Sequence, residues 1–193
     1  MKKFKLTSEF IVDISGVKLF RIKALIEFGN VKAGDLGGYI EKEENLSHMG
    51  NAWVSGNAQV SGDARVSGNA RVSGDAQVFG DARVSGDARV FGNAQVSGDA
   101  RVFGNARVSG DARVFGNAWV SGDKDYAYAH GFGSCNRTTT FFRLKDGDVG
   151  VRCGCFYGTL AQFRDNVCET HGETKKAQEY LMLADLMDFR FKN

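Results

Sequence analysis

Four side chains in the C-terminal third of the sequence have the chemistry of zinc ligands. Cys153, Cys155 and Cys168 offer thiolates and His171 offers an imidazole, a set found in tetrahedral zinc sites. The spacing argues against a site, because Cys153 and Cys155 point to opposite faces if both lie on one strand. We therefore expect small buried thiols in a hairpin and a helix, with no bound metal and no cofactor. A redox role for the pair is the alternative.

The segment GFGSCNRTTT, residues 131–140, concentrates groups that bind anions. Hydroxyl, amide and guanidinium donors stand beside flexible glycines, a combination suited to phosphate. Arg143, Arg152 and His171 join them if the following hairpin and helix pack together. The alternative is structural, because Thr-rich runs are common in strands and Asn-Arg is common in turns. The candidate ligand-binding residues are Ser134, Asn136, Arg137, Thr138, Thr139, Thr140, Arg143, Arg152 and His171.

Two strands and two helices are predicted to position these residues. Residues 138–158 have the pattern of a β-hairpin with its turn at 146–148. Thr159 and Gln162 have capping-box spacing and Gly172 follows, which predicts a short helix between them. Apolar spacing predicts a second helix from about residue 174 to 191.

An unbroken array of hexapeptides precedes this module. From Gly50 to Ser121 the pattern Gly-(Asn/Asp)-Ala-x-Val-(Ser/Phe) occurs twelve times without an insertion. Alternation places Ala and Val on one face of a short strand and x on the other, and Gly-Asn or Gly-Asp supplies a turn. One unit cannot bury its own Ala and Val, so successive units must stack about 4.8 Å apart as a parallel β-solenoid.

The array resembles the hexapeptide-repeat family of left-handed parallel β-helices. That family has an aliphatic residue followed four positions later by a small one, as in Val54 and Ala58. The resemblance implies a triangular coil of about 18 residues and, from the family's habit, a trimer. A wider resemblance covers the whole chain, through GDLGGYIEKE before the array and CGCFYGTL and ETHG after it. It is to poorly characterised phage and prophage proteins, and it implies a genomic setting more than an activity.

The spacing of rare residues within the array bears on the coil length. Gln59, Gln77 and Gln95 recur every 18 residues, whereas the phenylalanines from Phe79 to Phe115 recur every 12. A flatter, two-sided coil would stack the phenylalanines. We favour 18, because a 12-residue coil leaves little interior for twelve valines.

On an 18-residue coil the outward residues form three columns, in which like charges one rung apart repel by roughly 1 kcal/mol. Corner aspartates are expected to offset this repulsion. We predict an interaction surface made of these columns and of phenylalanines at the corners, either packed or exposed as apolar patches. The alternative is a solvated, ion-paired surface. The predicted interaction residues are Trp53, Arg71, Arg89, Arg107, Arg65, Arg83, Arg101, Trp119, Phe79, Phe91, Phe103 and Phe115.

The open ends of a β-solenoid need caps, and the flanking segments are placed to supply them. The predicted fold class is mainly β, a single-stranded parallel β-helix with an N-terminal β cap and a C-terminal ββαα module. The predicted domains are 1–43 for the cap, 44–127 for the β-helix and 128–193 for the module.

Catalytic residues are not evident. Acyltransferases of the hexapeptide-repeat family typically place a base histidine beside the coils, next to a loop that shapes the acyl-donor site. Here no histidine occurs between His48 and His130, and no loop interrupts the array. Either histidine could still act from an end of the solenoid, so an acyltransferase-like enzyme stays the alternative.

Charge and hydropathy narrow the classes of partner. Residues 1–49 carry eight basic and seven acidic side chains, 50–123 seven of each, and 124–193 ten and nine. No segment has the positive excess of a nonspecific nucleic-acid binder. No apolar run reaches the length of a membrane span, and no signal peptide is evident, so we expect a cytoplasmic protein without membrane contact.

The leading hypothesis is a non-enzymatic phage-type interaction protein in the host cytoplasm. It would inhibit a host defence system by binding a defence protein or by sequestering a nucleotide-like signal in the C-terminal polar loop. The expected partner is therefore a host or phage protein, or an anionic small molecule. The second alternative, after the acyltransferase, is a virion or assembly component, which predicts a homo-oligomer.

Overall fold

A three-stranded antiparallel sheet opens the fold. The computed structural model describes residues 1–133 and 137–192, and its first strands are β1 (Phe4–Val12), β2 (Lys18–Ala24) and β3 (Leu36–Ile40). A short 3-10 helix, Glu43–Asn45, follows. This N-terminal cap leads directly into the hexapeptide array.

Each hexapeptide contributes one strand of two residues, the variable residue and the valine. The strands are short because the Gly-Asn or Gly-Asp corner turns the chain after every valine and its neighbour. These strands are β4 (Trp53–Val54), β5 (Gln59–Val60), β6 (Arg65–Val66), β7 (Arg71–Val72), β8 (Gln77–Val78), β9 (Arg83–Val84), β10 (Arg89–Val90), β11 (Gln95–Val96), β12 (Arg101–Val102), β13 (Arg107–Val108), β14 (Arg113–Val114) and β15 (Trp119–Val120).

The coil contains 18 residues, as predicted. Gln59 pairs in parallel with Gln77, and Gln77 with Gln95, so every third strand is stacked. Three parallel sheets result, in the orders β4-β7-β10-β13, β5-β8-β11-β14 and β6-β9-β12-β15. The second of them continues through β3 into the N-terminal cap. The 12-residue coil is excluded, because Phe79, Phe91 and Phe103 follow strands of three different sheets.

The interior consists of the repeated alanines and valines. All of them in the array are at most 1 % exposed. At about 25 cal/mol for each Å² of apolar surface, this continuous column is the main stabilising term of the array. The small alanine beside the larger valine lets the three walls approach closely without leaving a void.

The corner glycines from Gly50 to Gly116 have a left-handed backbone, and those up to Gly98 stack on the glycine of the next coil. We expect Gly86→Ala to lower the free energy of unfolding in urea by about 1–3 kcal/mol, because of strain at positive φ. Gly86 has φ +67°, and a Cβ there would lie 2.9 Å from the Gly104 amide nitrogen. Gly122→Ala is the matched control, since open space surrounds that position. Equal losses in the two variants would contradict this account.

The direction of the backbone hydrogen bonds leaves different groups unpaired at the two ends of the solenoid. In each hexapeptide the amides of the variable residue and of the residue after valine donate to carbonyls of the next coil, as Trp53 N–H does to Ala70 O at 3.0 Å. The valine amide donates back to the preceding coil through the parallel ladder. The first coil therefore presents mainly carbonyls that lack a preceding coil, and the last coil mainly amides that lack a following one. Buried backbone groups of this kind require other partners.

The N-terminal cap supplies donors to the first coil. Backbone amides of the cap reach part of the edge, as Tyr39 N–H reaches Ala58 O at 2.9 Å. Asn45 Nδ2 donates to Gly62 O at 3.0 Å and to Ala64 O at 2.9 Å. The edge of the sheet is thus covered, which prevents another chain from pairing with it.

The buried Lys3 ammonium serves the same edge. Its Nζ donates to Ala52 O at 2.8 Å and to Gly50 O at 3.4 Å. It also lies 4.7 Å from the centre of the Phe28 ring, a cation–π arrangement. Burial lowers the pKa of Lys3 from 10.5 to about 8.

Acceptors meet the last coil. Thr140 Oγ1 accepts from Arg113 N–H at 2.9 Å, and Asp123 Oδ1 accepts from Arg107 N–H at 2.9 Å. Asp125 Oδ2 accepts from Ser121 N–H at 2.8 Å. The two caps therefore differ in chemistry as the backbone direction requires.

The C-terminal module is a four-stranded antiparallel sheet with two helices, two strands more than the predicted ββαα unit. Strand β16 (Tyr126–Phe132) precedes the predicted hairpin, whereas β19 (Phe156–Thr159) forms mostly from the end of its predicted second strand, because the chain turns at residues 154–155. Thr159 caps the first helix through a capping box with Gln162, and Gly172 ends it, as predicted. Its elements are β16 (Tyr126–Phe132), β17 (Arg137–Arg143), β18 (Val149–Cys153), β19 (Phe156–Thr159), α1 (Leu160–His171) and α2 (Lys175–Phe191).

This sheet has two buried faces. Phe142 continues the solenoid core, whereas the neighbouring Phe141 packs with Phe163 in the core beneath the helices. The alternation along β17 therefore anchors the module to the last coil and holds the helices on the far side. Within the described part of the chain, neither helix has the length and apolar character needed to cross a membrane.

Candidate binding face

The predicted anion-binding residues are divided between the two faces of β17. Thr140 Oγ1 faces the solenoid and accepts from Arg113, whereas Thr139 Oγ1 faces the helices, 3.2 Å from Cys153 Sγ. Both threonines are buried. Ser134 and Asn136 lie outside the described residues.

Two of the predicted guanidinium groups already donate hydrogen bonds to backbone carbonyls. Arg143 donates to Phe191 O at 2.7 Å and to Gly147 O at 3.1 Å. Arg152 donates to Cys155 O at 3.2 Å and lies over the Phe115 ring. These contacts join α2 and the solenoid corner to the sheet.

The other members are spread around the module. Thr138 Oγ1 lies 3.0 Å from His130 Nδ1, and the exposed Arg137 lies beside Gly154. His171 stacks against Tyr180 with ring centres 5.8 Å apart. The described members of the predicted anion site are therefore not gathered in one cluster.

The cysteines differ from the expected buried thiols. Cys153 is half-buried, but Cys155 and Cys168 are exposed. Cys155 lies in the turn between β18 and β19, and Cys168 is on the solvent side of α1, so neither has a core to enter. Across residues 1–133 and 137–192, no three His, Cys, Asp or Glu side chains are arranged to hold a metal ion.

The two histidines considered as bases have different surroundings. His48 Nδ1 accepts from the Lys3 backbone amide at 3.2 Å, and its Nε2 is buried 3.6 Å from Glu43 Oε2. Its ring stacks on Phe4 with centres 4.4 Å apart, which makes it part of the N-terminal cap. His130 is exposed on β16, where Nδ1 contacts Thr138.

The three faces of the solenoid are distinguished by their outward residues. One face carries the column of Gln59, Gln77 and Gln95, in which Gln95 Nε2 donates to Gln77 Oε1 at 3.2 Å. The second carries Arg71, Arg89 and Arg107, and the third carries Arg65, Arg83 and Arg101. Trp53 begins the second column and Trp119 ends the third.

Three corner aspartates, Asp75, Asp87 and Asp111, pair with stacked asparagines rather than with arginine side chains. Asn57 Nδ2 donates to Asp75 at 3.1 Å, and Asn69 Nδ2 donates to Asp87 at 3.0 Å. Asp63 instead binds Lys42, at 2.8 Å. No ion pair involves either arginine column in the described part of the chain. The expected neutralisation by direct contact is therefore not seen.

The aromatic members of the predicted surface are unequally accessible. Trp53 is only 7 % exposed, because the N-terminal cap covers it and Phe28 packs against it at 5.4 Å. Phe79 and Phe91 are each 38 % exposed at the corners. Phe115 is half-buried against Tyr157. The phenylalanines are thus partly packed and partly exposed.

A groove of about 850 Å³ follows the third face and its adjoining corner. Arg65, Arg83 and Arg101 form one side, and Ser67 and Ser85 line the other. Glu43, Glu44 and residues 46–48, at the junction of the N-terminal cap with the array, close one end. We call this surface the arginine groove. The sequence marked its arginine column, but the part played by residues 43–44 and 46–48 depends on how the cap folds back.

An aromatic pair closes the other end of the arginine groove. Phe103 packs edge-on against Trp119 with ring centres 5.4 Å apart. The Arg101 guanidinium lies 5.1 Å from the centre of the Trp119 ring. Trp119 and Phe103 are half-buried, so the pair offers apolar surface beside a cation.

Comparison with known families agrees with this architecture. A family model described as the YdcK beta solenoid repeat matches residues 58–74, 64–80, 76–92, 82–98, 94–108 and 106–122. The array is a repeat β-solenoid similar to that of YdcK. No curated protein matches the chain. The matched residues lie within the array, between 58 and 122, and include neither cap.

Proposed function

We propose that this chain is a non-enzymatic binding protein that contacts a protein partner through the arginine groove. The observation that carries the proposal is a column of three arginines without ion pairs in the described residues, which ends at an aromatic pair. Arginine and aromatic side chains are enriched where protein interfaces bind most strongly. The groove places both types on one rigid surface.

The positions of the histidines support binding rather than acyl transfer. A catalytic base must reach its substrate with a free nitrogen. His48 borders the groove, but Nδ1 accepts from Lys3 and Nε2 is buried beside Glu43. The β-solenoid then acts as a scaffold that holds the arginines in line.

The same proposal includes the family, the origin and the cellular location of the protein. The 18-residue coil with Ala and Val inside fits the left-handed hexapeptide-repeat family, and the terminal motifs resemble phage and prophage proteins. We place the protein in the cytoplasm of an infected host, where it inhibits a defence protein. A phage protein with no evident catalytic residues acts most simply by occupying its target.

Two charge-matched variants test the use of the groove. One replaces Arg65, Arg83 and Arg101 with glutamine, and the other replaces Arg71, Arg89 and Arg107. Glutamine occupies the equivalent outward position at Gln59, Gln77 and Gln95, so the coil accepts it. Both variants remove three charges from the same hexapeptide position, but only the first alters the groove.

Partner capture from a host lysate, followed by titration with the purified partner, is the measurement. We expect the groove variant to weaken binding at least about tenfold and the control variant to leave it within about twofold. Equal weakening by both variants, or binding unaffected by the groove variant, would show that the partner uses another surface.

A further inference from the structure

The arginine groove presents its positive charge as a line. Arg65 pairs in register with Arg83, and Arg83 with Arg101, so the three side chains leave successive coils one above another. Successive rungs are about 4.8 Å apart, and the column therefore spans about 10 Å. An anionic ligand that matches it must be extended along the solenoid axis.

The lining leaves this charge available to a ligand. Asp63, Asp81 and Asp99 each stand two residues before one of these arginines, and the Asp63 carboxylate interacts electrostatically with Arg65. None of the three aspartates lines the groove, and in the described residues none forms an ion pair with the column. The acidic lining residues are Glu43 and Glu44 at one end, and Glu43 is bound to Lys2 at 2.8 Å. Arg101 rests on Trp119, which leaves the edge of its guanidinium free to donate.

A compact phosphate finds few backbone donors here. The amides of Arg65 and Arg83 donate within the ladder, to Ala82 O at 2.9 Å and to Ala100 O at 2.8 Å. Those of Ser67 and Ser85 donate to carbonyls of the next coil in the same way. Phosphate sites commonly rely on converging backbone amides. The available donors are instead side chains spread along the groove.

The aromatic end favours an apolar side chain over a stacked base. Arg101 covers one side of the Trp119 ring, and Phe103 packs edge-on against it. A base needs a free aromatic face, whereas an aliphatic side chain can pack against the exposed edges of both rings.

We infer that the arginine groove binds an extended acidic segment of a polypeptide, with an apolar residue next to the acidic run. In an extended chain, alternate side chains point the same way and are about 6.6 Å apart. Two carboxylates at such positions fit within the three-arginine column, and the next apolar side chain on that face reaches Phe103 and Trp119. Ser67 and Ser85 face the backbone of the segment. This inference rests on the proposed role of the groove as the binding face.

Short labelled peptides test the inference directly. One carries aspartates alternating with serines and ends in leucine, a second has the reverse sequence, and a third has asparagine in place of each aspartate. Fluorescence anisotropy measures binding to the wild type and to the two arginine-to-glutamine variants. Trp119 fluorescence in a Trp53→Phe background reports contact at the aromatic end, since the chain has two tryptophans.

We expect one of the two aspartate peptides to bind and to change Trp119 fluorescence. The asparagine peptide and the groove variant should each weaken binding at least about tenfold, with the control variant within about twofold. Failure of both aspartate peptides to bind, or equal weakening by both protein variants, would overturn the inference. Tighter binding of a nucleoside triphosphate or single-stranded oligonucleotide, lost in the groove variant, would also overturn it.

The failure of this inference is distinguishable from failure of the proposed function. If the peptides do not bind while the groove variant still abolishes partner binding, the groove binds a part of the partner that is not an extended acidic segment. If the groove variant leaves partner binding unchanged, the proposed function itself is wrong.

Discussion

Replacing Asn45 with leucine is expected to lower the free energy of unfolding by about 3 kcal/mol. The Asn45 amide is buried and donates to Gly62 O and Ala64 O, and its Oδ1 accepts from Lys42 N–H at 2.9 Å. Leucine has a similar volume but leaves these backbone groups unpaired at the end of the solenoid. Each buried unpaired group costs about 1–3 kcal/mol.

Asn51→Leu is the matched control for this prediction. Asn51 is exposed at a corner and donates only to the side chain of Asn69, at 3.1 Å, in the described residues. Its loss should cost less than about 1 kcal/mol, because water replaces the partner. Urea unfolding of both variants measures the difference. Equal destabilisation would mean that the donors of the cap do not stabilise the first coil.

Lys3 is expected to make stability rise with pH above about 8. Burial lowers its pKa to about 8 in the folded chain, from 10.5. Between these values the unfolded chain binds a proton that the folded chain has released, so raising the pH favours the folded state. Below about 8 both states are protonated and the cost of burying the charge is constant. The neutral amine still has two N–H groups for Gly50 O and Ala52 O.

The comparison of wild type with Lys3→Met isolates this effect from the other lysines. From pH 8 to pH 10 the wild type should gain about 2 kcal/mol relative to the variant, as follows from about 1.4 kcal/mol for each unit of pKa difference. Urea titrations at the two pH values measure the gain. A difference between the proteins that does not change with pH would mean that Lys3 keeps an ordinary pKa.

Local features of the two terminal modules could be predicted from the sequence, whereas their long-range contacts could not. Thr159 and Gln162 lie three positions apart and Gly172 ends the same helix of 12 residues, so a local pattern identified this helix correctly. Lys3 and Asn45 reach carbonyls 47 or more and 17 or more positions away in the chain, and no spacing rule connects them. The added strands β16 and β19 likewise depend on pairing with a hairpin that was predicted alone.

The candidate site was also predictable from the sequence only in part. The register of an 18-residue coil placed Arg65, Arg83 and Arg101 in one column from sequence spacing. Exposure of the aromatic residues did not follow from spacing, because Trp53 is covered by the N-terminal cap while Trp119 borders the groove. The polar C-terminal segment attracted attention for its composition, but the two faces of β17 separate its threonines.

By itself, the sequence determined the solenoid, its coil length and the identity of its outward columns. A strictly repeated pattern makes each coil the template for the next, so local rules extend along the whole array. Only the tertiary structure decided how the ends are closed and which column borders a groove. Those features depend on single side chains that meet distant backbone groups, and repetition carries no information about them.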